Sequence, residues 1–199
     1  TTYTLPKNAP DKPEFVKLEF KQGVPVALNG EPLNLAALIM KLNKVAGKHG
    51  VGTFQVIEDR LIGLKNRGVY EHPGLHTIIE AHRYLERYVS TKVLNEVKET
   101  MDTRWGYFCY SAYWFDPVMD AINAFNDSVN EKVSGEVTVR LFKGQAAVVA
   151  MTSPNALAFA SFNNAEGYKF NVNASAGFIE LYSLQMKIAN ELKRKKGKK

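Results

Sequence analysis

Residues 48–77 read KHGVGTFQVIEDRLIGLKNRGVYEHPGLHT, and the rest of the chain is organised around them. His49-Gly50 makes a turn, and Val51 to Ile57 then runs as an apolar-rich strand. The strand ends on a charged triplet, Glu58-Asp59-Arg60, and passes through Gly63, Lys65, Arg67 and Gly68 in a basic loop. That loop lands on Tyr70 and Glu71. His72-Pro73-Gly74 then breaks the chain ahead of a helix. Strand ends and glycine-bearing loops are where rigid scaffolds present functional groups.

Working outward, the flanking segments alternate between strand and helix signals. Val16, Leu18 and Phe20 share one face of a strand over residues 14–20, and Val24 to Leu28 forms a second. Pro25 makes that second strand an edge, or places its proline at an unpaired position. Asn29-Gly30 is a tight-turn signal. Asn34 caps a helix on which Leu35, Leu38, Ile39, Leu42 and Val45 recur at the spacing of one face, ending near Gly47. After Pro73-Gly74 a helix carries Ile78, Ile79, His82 and Leu85 along one side, and Ser90 or Thr91 caps another. Asp116 caps a further helix with Pro117 at its first position. Gly135 to Met151 reads as a hairpin turning at Lys143-Gly144. Residues 153–172 are irregular with a short strand, and a last helix spans about Ser175 to Lys193, apolar around more than one face. The expected fold class is α+β, with antiparallel or mixed strands and packed helices. Residues 1–13, with three prolines, are expected to be a linker or extended arm, residues 14–174 one domain, and residues 175–199 a terminal helix with a basic tail.

Charge weighs against one class of function. The net charge is +6, but six of the 26 Lys and Arg lie in residues 193–199. The remaining 20 face 20 Asp and Glu, so the body is neutral and the excess belongs to a terminal tail. A solvated, disordered end is the preferred reading of that tail over a nucleic-acid site. No apolar run approaches the ~20 residues that span a bilayer. The single Cys109 precludes an internal disulfide and suits a reducing cytoplasm. Trp105 to Phe115 holds seven aromatics without interleaved lysine or arginine, so a packed core or subunit contact is preferred over base stacking.

Self-sufficient catalytic chemistry is missing. There is no G-x-x-x-x-G-K-[ST] phosphate loop, since Gly47-Lys48 is followed by His49. His72 and His76 are spaced by four, but Pro73-Gly74 between them spoils a helical metal pair. His82 reads as a packed histidine and Cys109 as a buried thiol. That leaves Glu58 and Tyr70. Pattern alone favours an ion pair of Glu58 with Arg60 or Lys65, and simple packing for Tyr70.

A resemblance reverses that preference. GKHGVG at 47–52 and IEDRLIGLKNRGVYEHPG at 57–74 resemble the carboxyl-terminal half of the argininosuccinate synthase family. FKQGVPVALNGEPLN (20–34), YSAYWFDP (110–117), VSGEVTVRLFKG (133–144) and GFIELYSLQMKIA (177–189) agree in the same order. The resemblance implies an ATP-dependent ligase joining citrulline to aspartate through citrullyl-AMP, with pyrophosphate and then AMP leaving. It implies that Glu58 and Tyr70 contact citrulline, with no catalytic or metal-binding residue on this chain. ATP and Mg2+, with aspartate, would be held mainly by the family's amino-terminal half, which lies outside this sequence and carries a serine-rich SGG-x-D-type loop. Residues 14–174 would then be a synthetase domain and the terminal helix an oligomerisation element of a homo-oligomer, a tetramer in the intact enzyme. This chain alone is expected to be inactive, with no nucleic-acid or membrane partner. It departs from the family at His72, where a small residue is common, and at SPNALAFASF (153–162), where the family is more polar. The competing readings are a non-catalytic binding or assembly module that keeps the fold, and an RNA- or membrane-surface-binding protein using the tail. The neutral body disfavours the last.

Overall fold

Val16, Leu18 and Phe20 are all buried along β1 (Glu14–Lys21), because alternate side chains of a strand share a face. Val137, Val139 and Leu141 do the same on β6 (Gly135–Phe142), which pairs antiparallel with β1. These two strands are the centre of a five-stranded antiparallel sheet in the order β3-β2-β1-β6-β7. The flanking strands are β2 (Val24–Leu28), β3 (Glu31–Pro32) and β7 (Gln145–Thr152). The computed structural model describes residues 3–157, 171 and 173–196. It divides into two units, Thr1–Leu157 and Ala158–Lys199.

The expected α+β fold is present, with antiparallel pairing throughout the described strands. Pro25 sits where β3 does not reach, since β3 pairs only with Ala27 and Leu28. One side of β2 is therefore open there, and a missing N–H costs nothing.

Two helices cover the sheet. α1 (Leu35–Lys48) starts at Asn34, whose side chain accepts from Ala37 N at 2.9 Å, and buries Leu38, Leu42 and Ala46. α2 (Pro73–Val89) buries Ile78, Ala81, Leu85 and Val89 against the same core. α3 (Lys92–Tyr110) is capped by Thr91, and α4 (Pro117–Asn130) by Asp116 with Pro117 at its first position. The second unit contains α5 (Ala174–Tyr182) and α6 (Leu184–Lys196).

Four expectations change. The terminal helix is two helices, parted at Ser183, whose hydroxyl donates to the Glu180 carbonyl and competes with the backbone ladder. Lys193, Arg194 and Lys195 belong to α6 rather than to a disordered end; residues 197–199 lie outside the described residues. Of the two readings of Trp105 to Phe115, the packed core does not hold and the subunit contact stays open: Tyr107, Tyr110, Tyr113 and Trp114 are exposed, and Phe115 fully so. Cys109 is half-buried rather than buried. Much of the segment 153–172 falls outside the described residues, so its short strand does too.

Candidate functional site

The stretch expected to be a strand and a basic loop is a hairpin. β4 (Thr53–Asp59) and β5 (Lys65–Glu71) pair antiparallel and form a separate two-stranded sheet. Residues 60–64 turn between them, with Arg60 N donating to Leu64 O at 2.8 Å and Gly63 N to Arg60 O at 2.7 Å. Strand structure begins at Thr53 rather than Val51, because the backbone is still turned at Gly52 (φ +84°). A Cβ there would lie 2.5 Å from Pro73 Cα, so glycine lets the root of the hairpin meet the start of α2. His72 N donates to Gly52 O at 2.9 Å across the same junction.

Register sorts the side chains. Phe54 faces Tyr70, Val56 faces Gly68 and Glu58 faces Asn66. Alternation places these six on one face. Gln55, Ile57, Asp59, Lys65, Arg67 and Val69 occupy the other.

On the first face the Tyr70 hydroxyl donates to Glu58 Oε1 at 2.7 Å. The two residues are not opposite each other, so the ring must lie back along the strand to reach. Gly68 makes that possible: a Cβ at position 68 would fall 2.5 Å from Tyr70 Cε2 and 2.9 Å from its hydroxyl oxygen. Asn66 Nδ2 donates to the same Oε1 at 3.0 Å, and Arg60 Nη2 stands 3.7 Å from it. The Tyr70 hydrogen bond, then that of Asn66, holds the Glu58 carboxyl below the usual carboxylate range; the Arg60 charge adds less. The same hydrogen bond raises the Tyr70 hydroxyl above its ordinary value. Near neutral pH the pair is thus an ionised carboxylate beside a protonated phenol. It can accept from an N–H donor and orient a polar ligand.

Of the two ion-pair partners expected for Glu58, Arg60 is the one present. Lys65 pairs with Asp59 on the opposite face, at 2.6 Å and 2.8 Å to the two oxygens. Tyr70 is exposed rather than packed. The register brings Glu58 and Tyr70 together, and adds Asn66, which carries no signal in the sequence alone. Its signal lies in the pairing, since Asn66 is directly opposite Glu58, and a loop over residues 63–68 offers no such pairing.

At the hairpin root the Phe54 ring stacks on His72 at 4.7 Å and meets His76 edge-on at 5.0 Å. These two histidines, excluded as a metal pair from sequence, pack on one aromatic ring. Burial lowers the His76 pKa. Among the described residues no three His, Cys, Asp or Glu side chains gather where they could hold a metal ion. His82 is a packed histidine, as expected, 3.2 Å from Asn130 Oδ1 and edge-on to Phe20. No described helix is long and apolar enough to cross a membrane.

A family model described as the arginosuccinate synthase C-terminal domain matches residues 1–189. Argininosuccinate synthase of Pyrococcus furiosus is 45% identical over 184 residues, which are 92% of this chain and 45% of that protein. The protein of the same name from Streptococcus suis is 42% identical over 195 residues, 96% of this chain and 49% of its own length. The chloroplastic argininosuccinate synthase of Arabidopsis thaliana is 40% identical over 190 residues, 95% of this chain and 38% of its own length. The chain thus spans about half the length of the relatives it matches, or less. It belongs to the argininosuccinate synthase family, over that family's carboxyl-terminal domain.

Proposed function

We propose that this chain is the citrulline-binding and assembly half of an argininosuccinate synthase, with Glu58 and Tyr70 as the groups that hold citrulline. The observation carrying this reading is the 2.7 Å hydrogen bond between Tyr70 and Glu58 on one face of the hairpin. It preorganises a carboxylate and a phenol at the two positions that the family resemblance assigns to the substrate. Citrulline has a cationic amino group, a carboxylate and a neutral ureido group. An ionised carboxylate and a neighbouring hydroxyl can accept from and orient such a ligand. These residues contribute position rather than bond-breaking, by fixing citrulline for attack and keeping it there between steps.

ATP supplies the activating nucleotide in the whole enzyme's ligation of citrulline to aspartate, and in this proposal it is held with Mg2+ outside this chain. Calorimetry of the isolated chain with ATP and magnesium is then expected to give no micromolar binding; such binding would move the nucleotide site onto this half. The exposed apolar surface of α5 and α6 supports an assembly role, in a homo-oligomer.

The decisive experiment uses an enzyme containing this half. Glu58→Gln and Tyr70→Phe are expected to raise the citrulline KM or lower turnover by roughly ten- to a hundredfold, the scale of one lost charge-assisted hydrogen bond. The ATP constant should move much less. Asp59→Asn, on the opposite face and paired with Lys65, is the control. Citrulline kinetics untouched in both variants, with the fold intact, would make the pair structural.

A further inference from the structure

We infer that Asn66 is a specificity-determining positioning residue: with Tyr70 it fills one oxygen of Glu58, so the carboxylate offers a ligand only Oε2. The inference rests on the citrulline reading above and extends it to what the site accepts and refuses.

An ionised carboxylate only accepts hydrogen bonds, so the amide of Asn66 must present its nitrogen to Glu58. The contact is built by register. Asn66 stands directly across the ladder from Glu58, where cross-strand Cβ atoms are about 5 Å apart and a short amide is long enough. Nδ2 at 3.0 Å and the Tyr70 hydroxyl at 2.7 Å converge on Oε1, and Arg60 Nη2 lies on that side too, at 3.7 Å. Among the described residues no hydrogen bond reaches Oε2. Glu58 is not sealed in, since its side chain keeps 21% of its exposure. Among the described residues one oxygen is saturated and the other has no hydrogen-bond partner.

That asymmetry selects between ligand chemistries. A guanidinium binds a carboxylate best through two parallel N–H donors, one to each oxygen. Glu58 cannot provide the second oxygen while Asn66 and Tyr70 hold it, and the Arg60 charge opposes a further cation nearby. A neutral ureido group, or any single N–H donor, needs only Oε2. With the side-chain end of the ligand at Glu58, the site favours a ureido amino acid over the guanidino amino acid of the same length. Asn66 sets that preference without touching the substrate.

Two measurements test this. In the full 199-residue chain, carbon-detected NMR titration of the Glu58 carboxyl is expected to show its pKa rising in Asn66→Leu. In Asn66→Ser, whose hydroxyl is a shorter donor, it should fall between the two. An unmoved Glu58 titration in Asn66→Leu, with hairpin amide signals intact, would overturn the role of Asn66. In the citrulline assay described above, arginine is expected to compete roughly tenfold or more weakly than citrulline binds. Asn66→Leu should narrow that gap, and Asn66→Ser should restore part of it. Arginine competing as tightly as citrulline in the unmodified enzyme, or a gap that Asn66→Leu leaves unchanged, would overturn the selectivity. The two layers fail separately. A still Glu58 titration removes Asn66 and leaves the Glu58–Tyr70 assignment standing, whereas unmoved citrulline kinetics in Glu58→Gln and Tyr70→Phe removes the assignment itself.

Discussion

A methyl group at position 68 has nowhere to go while Tyr70 reaches Glu58, because it would lie 2.5 Å from the edge of the ring. Gly68→Ala is therefore expected to swing Tyr70 aside and break its hydrogen bond, reproducing the Tyr70→Phe loss of citrulline binding although the phenol is still present. The Tyr70 hydroxyl should titrate closer to its ordinary value, and an unchanged Tyr70 titration would count against the packing argument. The sign of the Glu58 shift gives a second expectation. A carboxyl held below its usual range stays charged until pH falls through that lowered value, so citrulline recognition should persist below the ordinary carboxylate range. Removing the largest cause, in Tyr70→Phe, should move the acid limb of the citrulline kcat/KM profile upward. Profiles that superimpose for both proteins would show that Glu58 does not control that limb.

Between elements, the junction of α2 and α3 depends on a charge pair taken out of water. Glu86 and Lys98 are each about nine-tenths buried, with Lys98 Nζ 3.4 Å from Glu86 Oε2 and also paired with Asp102. Lys98→Met leaves Glu86 buried with only the His82 ring, 3.9 Å away, beside it, and should cost about 3–5 kcal/mol of stability in urea unfolding. Adding Glu86→Leu to Lys98→Met should recover most of that loss; a double variant as unstable as the single one would mean that packing, not charge, was lost. His82 on α2 faces Glu86 and Asn130, with Lys98 and Asp102 further off, and burial holds its pKa below 6.5. Between that lowered value and 6.5 the unfolded chain binds a proton that the folded chain does not, so stability falls as pH drops through this window. His82→Gln should flatten the slope, leaving the part due to His76, which burial shifts the same way. How well the elements could be read from sequence followed burial. β1, β6, α1 and α2 each show one face to the core, and that period is written in Val16-Leu18-Phe20 and Leu38-Leu42. β5 reads KNRGVYE and buries neither face, so no period of two survives to mark it as a strand, and the Glu58–Asn66 pairing went unseen with it. Glu58 and Tyr70 were legible only through resemblance; the rotation of Tyr70 over Gly68 belongs to the folded register.

For the molecule as a whole, the question is what covers α5 and α6. Phe178, Ile179, Leu181, Tyr182, Leu184 and Met186 are all more than half exposed, in a run where a helix with one buried stripe would alternate. Contiguous apolar surface of this kind marks a protein contact when it survives on a folded chain, and charge does not supply an alternative. Of the basic residues of α6 only Lys187 lies within the apolar run, and Lys193 to Lys196 follow it, so a membrane or polyanion attracted to that basic end would leave Phe178 to Tyr182 uncovered. A second copy of the chain is the occupant that the homo-oligomeric reading supplies, and symmetric association would bury the same residues twice. Removing residues 177–199 is then expected to lower the oligomer order or cause aggregation, whereas removing only 193–199 should leave the mass unchanged. Multi-angle light scattering on the two truncations separates the roles. A mass unaltered by the longer deletion would defeat assembly through these helices, and a mass lowered by the shorter one would move the contact onto the basic end.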